Sequence, residues 1–172
     1  VHDPGKTVVV QIAPAVRVAL GEMFGMEPGT LTMGKIAAAL KLLGFDKVFD
    51  TSYAADLTVL EEAHEFLERK QRNEKLPLFT SCCPAWVTYA EQSYAGLLGH
   101  VSSCRSPQQM FGAVAKETLP GVLGIDKQDL FVVSIMPCTA KKFEAQRPEF
   151  AKGGLRDVDA VLTTQGLGRM IK

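Results

Sequence analysis

The sequence predicts an α/β fold, a mostly parallel β-sheet flanked by helices on both faces. Two observations carry this. Short β-branched or apolar runs alternate along the chain with segments of helical period, the pattern of strands joined by crossover helices. The 172 residues, 47% apolar and 22% charged, are also enough for one domain with a substantial core and too few for two.

The elements follow in order. Thr7–Ile12 is a β-branched strand, and Pro14 opens a helix that runs through Phe24 to a Gly25 stop. Ile36, Ala37, Leu40 and Leu43 recur at helical spacing before Gly44. Lys47–Asp50 is a short strand. Leu57, Leu60, His64 and Leu67 predict the buried stripe of a long helix reaching about Arg72, with Glu61, Glu62, Glu65 and Glu68 around it. Pro77–Thr80 reads as a short strand leading to a cysteine pair, and Pro84 starts another helix. Ser106 and Pro107 predict an N-cap and first turn for a helix carrying Met110, Phe111, Val114 and Leu119. Leu130–Met136 is an unbroken apolar strand ending at Pro137 and Cys138. Asp159–Leu162 is the last strand, and Thr164 caps the terminal helix.

Composition excludes several classes. Nineteen basic side chains balance nineteen acidic ones, so no field draws the chain to nucleic acid or an anionic membrane. No apolar run approaches a bilayer span, and no signal peptide is visible. The four cysteines, Cys82, Cys83, Cys104 and Cys138, lack the spacing of a zinc knuckle and suggest a reduced, cytoplasmic protein. Because the chain starts at Val1 and stops at Lys172 inside a predicted helix, it reads as part of something longer.

In a parallel sheet, ligands bind beyond the carboxyl ends of the strands. Three predicted strands end in unusual residues: Ala13-Pro14, Ser81-Cys82-Cys83-Pro84 and Met136-Pro137-Cys138. The expectation is that all three gather at one edge. Cys82 and Cys83 stand at the positive end of a helix, a setting that suits thiolates, and Lys141 lies three residues beyond Cys138. Thiolates beside a fixed ammonium suit an anionic metal centre or an activated nucleophile. Cys104, in a connection, reads as a small buried hydrophobe outside that set. Glu62 and Glu65, an (i, i+3) pair, are either a solvated acidic face or part of a relay.

At these residues the sequence resembles a known family. FTSCCPAW at Phe79–Trp86 and MPCTAKKFE at Met136–Glu144 resemble the first two active-site motifs of iron-only ([FeFe]) hydrogenases. The likeness continues through QIAPAVR at Gln11–Arg17, SPQQMFG at Ser106–Gly112 and DVDAVLTT at Asp157–Thr164. The resemblance implies one lobe of a two-lobed catalytic domain, with Ala13, Pro14, Phe111, Met136 and Pro137 in the cleft between the lobes. It also implies an H-cluster, a [4Fe–4S] cubane joined through a cysteine sulfur to a two-iron unit with carbon monoxide, cyanide and azadithiolate ligands. By motif position, Cys83 and Cys138 are implied as cubane ligands and Cys82 as the thiol that exchanges protons beside the open iron. Ala13, Pro14, Ser106, Pro107 and Lys141 are implied as cyanide contacts, Met136 as a contact to the bridging carbonyl, and Gln108 and Pro137 as further cofactor-binding residues. Glu62, Glu65, Ser102 and Cys82 are implied as a proton path with Arg69 near its mouth, the arrangement a site closed to water requires.

Departures bound what the resemblance implies. A cubane takes four protein thiolates, and two are assigned here; the family's third cysteine motif lies beyond this chain, as do the ferredoxin-like arrays of many members. Ala15 and Ala85 stand where serine and glycine are common, similar to multisubunit NAD-linked members. Implied partners are therefore the remainder of the catalytic domain, a ferredoxin or NAD-linked subunits, and maturation proteins. The chain alone is expected to be inactive. Two alternatives remain open: a non-catalytic Narf-like iron–sulfur protein, and a small zinc or redox-thiol module built on Cys82, Cys83 and Cys138.

Overall fold

A computed structural model describes residues 1–31 and 33–172. The first strand, β1 (Thr7–Ile12), is followed by α1 (Pro14–Ala19), which tightens into a 3-10 turn over Leu20–Phe24. Gly25 closes that turn with φ +69°, a left-handed conformation that glycine adopts without steric cost. Next come α2 (Met33–Leu42), β2 (Lys47–Asp50), the long α3 (Ser52–Arg72), α4 (Pro84–Ser93) and α5 (Pro107–Leu123). β3 (Leu130–Met136), the short α6 (Ala140–Glu144), a small hairpin of β4 (Ala151–Lys152) and β5 (Leu155–Arg156), β6 (Ala160–Thr163) and α7 (Thr164–Ile171) complete the order.

Four strands form one sheet in the order β2-β1-β3-β6, and every pairing is parallel. Alternation along β1 divides its side chains between two cores. Val8, Val10 and Ile12 join Val16 and Leu20 of α1 and its 3-10 extension, Ile36 and Leu40 of α2, and Leu167 of α7 on one face. Val9 joins Ala54 of α3, Phe111 and Ala115 of α5, and Val132 of β3 on the other. Because both faces are covered, β1 and β3 read as nearly continuous apolar runs. The chain leaves β1 toward β2 on one side and returns to β3 on the other, so the crevice at their carboxyl ends is the sheet's switch point. Among the described residues, no helix is long and apolar enough to cross a membrane.

Four expectations need correction. Pro77–Thr80 is not a strand of the sheet: Phe79 makes one isolated parallel bridge to Val101, and the segment otherwise runs as a loop. β6 is displaced by one residue from Asp159–Leu162, and Thr163, whose side chain accepts from the Gly166 amide at 3.1 Å, caps α7 in place of Thr164. Phe111, expected at the cleft, lies in the core, with its ring 5.3 Å from that of Phe49.

The fourth correction concerns α3, whose facing is the reverse of the one its apolar residues suggest. Leu60 and Leu67 are 67% and 54% exposed and His64 is exposed too, while Leu57 is only half-buried. The inward row is Ala54, Thr58, Glu62, Glu65 and Arg69. Its first turns meet α5 through a small side chain, Ala54. Its later turns lie over the segment from Gly99 to Cys104, which presents carbonyls, an amide and a hydroxyl. A guanidinium and carboxylates satisfy those groups, and leucines do not.

Candidate functional site

The strand ends carry the site. Beyond the regular ladder, the Ala13 amide bonds the Ile135 carbonyl at 3.0 Å and the Thr51 amide bonds the Ile12 carbonyl at 3.1 Å, which aligns the first residues past β1, β2 and β3. Below them lies a buried polar network. Gln11 Nε2 donates to Ser134 Oγ at 2.7 Å and to the Gln108 carbonyl at 2.9 Å, and Thr51 Oγ1 donates to Gln11 Oε1 at 3.0 Å. These bonds tie the first turn of α5 to β1 and β3.

Above that network opens a cavity of about 350 Å³. Ala13, Pro14, Ala15, Thr51, Ala55, Cys82, Cys83, Pro84, Pro107, Gln108, Met136, Pro137, Cys138 and Lys141 line it. Pro84 and Pro107 are the first residues of α4 and α5, so the positive ends of two helices border the cavity, a setting that favours a negatively charged occupant. All four cysteines are free thiols, and three of them meet here. Cys104 does not: it lines a separate, smaller polar cavity with Ser102 and Arg105, and burial pushes its thiol pKa up.

Lys141 joins the two cysteine motifs. Its Nζ donates to the Cys82 carbonyl at 2.6 Å and to Glu144 at 3.0 and 3.1 Å, with both side chains nearly buried. Glu144 Oε2 also accepts from Ser106 Oγ at 3.0 Å and from Gln108 Nε2 at 2.9 Å. Gln108 Nε2 reaches the Lys141 carbonyl at 3.2 Å as well, so two acceptors fix the amide's orientation and Gln108 Oε1 is left buried without a partner. Ser106, the N-cap of α5, stands in a second cavity of about 410 Å³. That cavity shares Ala55, Cys82, Cys83 and Pro107 with the first and adds Thr58, Glu62 and Arg105. Cys82 therefore borders both spaces, and Glu62 lies on the far one.

Beyond Glu62 the polar row of α3 continues. Ser102 Oγ donates to Glu65 Oε2 at 2.7 Å, the Ser103 amide reaches the same carboxylate at 3.1 and 3.2 Å, and Arg69 donates to it at 2.6 Å. Arg69 is held further by the carbonyls of Lys75, Gly99 and Val101. The two carboxylates are driven apart. Partial burial and the charge of Glu65 raise the pKa of Glu62 against a lowering hydrogen bond from Ser102. Burial opposes ionisation of Glu65 too, but the donors Ser102, Ser103 and Arg69 overcome it and lower its pKa to about 2.

The structure thus brings ten residues singled out from the sequence to one cavity: Ala13, Pro14, Cys82, Cys83, Pro107, Gln108, Met136, Pro137, Cys138 and Lys141. Ser106 and Glu62 lie on the adjoining space, and Glu65 and Ser102 lie beyond it in contact with each other. Sequence reasoning missed Gln11, Thr51 and Glu144. The signals were there: a glutamine inside a β-branched strand, and a glutamate one turn after the lysine.

Residues 6–172 match the family model described as iron only hydrogenase large subunit, C-terminal domain. This chain belongs to that family. It is 53% identical over 99% of its length to the NADP-reducing hydrogenase subunit HndD of Solidesulfovibrio fructosivorans, covering 30% of that protein. It is 35% identical over 99% of its length to cytosolic iron-sulfur assembly component 3 of Bos taurus, covering 37% of it. A solved structure of apo [FeFe]-hydrogenase HydA1 from Chlamydomonas reinhardtii superposes with a TM-score of 0.92 at 47% identity, over 98% of this chain and 43% of that one. The chain spans about a third of the length of the curated relatives it matches. Within the iron-only hydrogenase family, the parallel sheet and its flanking helices are the expected fold for this stretch.

Proposed function

We propose that the protein carrying this chain interconverts dihydrogen with protons and electrons at an H-cluster, and that this chain supplies one wall of the cluster site and the proton path leading from it. The observation that carries the reading is the meeting of Cys82, Cys83, Cys138 and Lys141 on one cavity, from motifs far apart in sequence. The donor chemistry fits the group: thiolates are the ligands that iron–sulfur clusters take, and an ammonium with helix N-termini suits anionic diatomic ligands. A single zinc ion fits less well, since structural zinc needs converging ligands, and among the described residues no three His, Cys, Asp or Glu side chains converge on one metal position.

In this reading Cys83 and Cys138 hold the cubane, and the rest of the catalytic domain supplies the other thiolates. When bound, the H-cluster supplies the iron centre and electron store at which dihydrogen is cleaved or made. Ala13, Pro14, Ser106, Pro107, Gln108 and Lys141 orient it, and Met136 and Pro137 close its side against water. Cys82 holds the proton nearest the iron. Glu62, with its raised pKa, takes that proton across the second cavity, and Ser102 passes it to the anionic Glu65 beside Arg69. That graded pair of carboxylates favours a hydrogenase over a purely structural cluster, which needs no path for protons. The four free thiols suit a reducing cytoplasm, with a ferredoxin or an NAD-linked subunit as electron partner and maturation proteins to deliver the two-iron unit. With two cluster thiolates alone, the chain by itself is inactive.

Cysteine substitutions in the full-length protein test the assignment. Cys82→Ala keeps the cluster's spectra and nearly abolishes turnover, while Cys83→Ala or Cys138→Ala prevents assembly. Loss of the cubane signal in the Cys82 variant would show that the neighbouring cysteines are assigned the wrong way round.

A further inference from the structure

Glu144 is buried at the edge of the site and takes part in none of the steps above. Its carboxylate accepts from three side chains, Lys141, Ser106 and Gln108, at 2.9–3.1 Å. The donors come from α6, from the N-cap of α5 and from its first turn. No donor is shared with solvent-exposed acids, and the pair with Lys141 is nearly buried.

A lysine side chain has four rotatable carbons and carries about 2 kcal/mol of rotamer entropy, so burial alone does not aim its head. Here α6, of five residues, is too short to restrain it. The direction of Nζ is set by two acceptors. One ammonium N–H goes to the Cys82 carbonyl at 2.6 Å. The near-equal distances to the two oxygens of Glu144, 3.0 and 3.1 Å, fit a second N–H shared between them. An ammonium has three donors, which leaves one for the cavity that Lys141 lines.

We propose that Glu144 is a positioning residue: it gathers Lys141, Ser106 and Gln108 into one rigid rim and directs the remaining ammonium N–H of Lys141 to an anionic, hydrogen-bond-accepting ligand of the bound iron group, a cyanide. The inference rests on the H-cluster reading of this cavity. A carboxylate suits this point because the ammonium of Lys141 and the amide nitrogen of Gln108 can only donate to it, and Ser106 Oγ donates to it as well. A glutamine there would turn either its one acceptor or its own NH2 toward them, and one donor would lose its partner.

The test uses the full-length protein carrying this chain, matured with its cluster, as wild type, E144Q and E144D. The readouts are the cyanide stretching bands in the infrared and retention of the two-iron unit. E144Q displaces a cyanide band and weakens retention about 10–100-fold, the usual cost of losing a partner of a metal-site contact. E144D keeps the charge but withdraws it by one methylene, and gives a smaller displacement of the same band. If E144Q does not fold, E144D decides alone. Unchanged cyanide bands in a folded variant would overturn the proposal, since a merely structural ion pair leaves those frequencies alone. A wild-type protein that shows no cyanide bands after maturation sinks the H-cluster reading itself, and this inference with it.

Discussion

A methyl group added at Gly112 measures how tightly the helix that carries Ser106, Pro107 and Gln108 is held against the last strand region. Gly112 lies in the second turn of α5, and a Cβ built there stands 2.6 Å from the Asp157 carbonyl oxygen, 2.8 Å from its carbon and 2.7 Å from Val158 Cγ2. Two of those atoms are backbone and cannot rotate away. The segment is also fastened: the Asp157 amide bonds the Phe150 carbonyl at 3.0 Å, the Asp159 amide bonds Val132 at 2.9 Å, and Arg105 pairs with the Asp157 carboxylate. Alanine in a helix gains about 1 kcal/mol over glycine. Overpacking a fitted contact costs about 1–3 kcal/mol, and the rigid neighbours here point to the upper figure. Gly112→Ala should therefore destabilise the chain by about 2 kcal/mol, the difference between those two terms. Gly121→Ala in the same helix is the control. Nothing lies within 4 Å of its Cβ, so it should stabilise by about 1 kcal/mol. Urea unfolding of both variants gives the midpoints. A Gly112 variant as stable as wild type would refute the close approach, and so would shifts of the same sign at the two sites.

Two further expectations follow from the surface and the charges. The folded pKa of Glu65, about 2, lies below its ordinary 4.5, so the stability its ionised form contributes is complete above the ordinary value and fades as pH falls toward 2. The stability gap between wild type and Glu65→Gln should close over that interval, and an equal gap at both ends would refute the clamp around Glu65. On α3, Tyr53, Val59, Leu60, Phe66 and Leu67 are exposed, as are Trp86, Tyr89 and Tyr94 on and just after α4. The chain alone should self-associate and bind a hydrophobic dye, read by sedimentation at several concentrations; a dye-free monomer would show that these faces need no cover.

What the sequence disclosed depended on whether a residue's surroundings were local. β1 and β3 fall where their largely apolar runs do, because a strand buried on both faces tolerates few polar residues. The first cysteine motif was legible through Pro84, which starts α4, and the second through its place just past the end of β3 at Met136. The facing of α3 was not. Leu60 and Leu67 suggested an inward stripe, but the groups that decide which face turns in lie about thirty to forty residues away, in the segment around Ser102. Phe79 misled for a related reason: an apolar tetrapeptide looks like a strand, yet its one partner is Val101 and not the sheet. Glu144 stood one turn after Lys141, but its weight as a site residue was not legible, because two of its three partners lie at the start of α5. Thr163 and Thr164 offered two adjacent hydroxyls, and only geometry chooses between them.

The network under the cavity limits how this protein can change. Gln11, Ser134 and Thr51 are buried, and each one's bond partner is another member or the Gln108 backbone. Replacing Gln11 by leucine strands the hydroxyls of Ser134 and Thr51 together; replacing Thr51 by valine strands only the Gln11 oxygen. An unpaired buried polar group costs about 1–3 kcal/mol, comparable with the whole reserve of many domains after two or three such losses. Single steps away from this arrangement are thus steep, while an exchange of the trio for apolar residues of matching shape is nearly level. Descent with modification should then carry these positions as a block, kept or swapped together, and the floor of the site would be inherited as one unit.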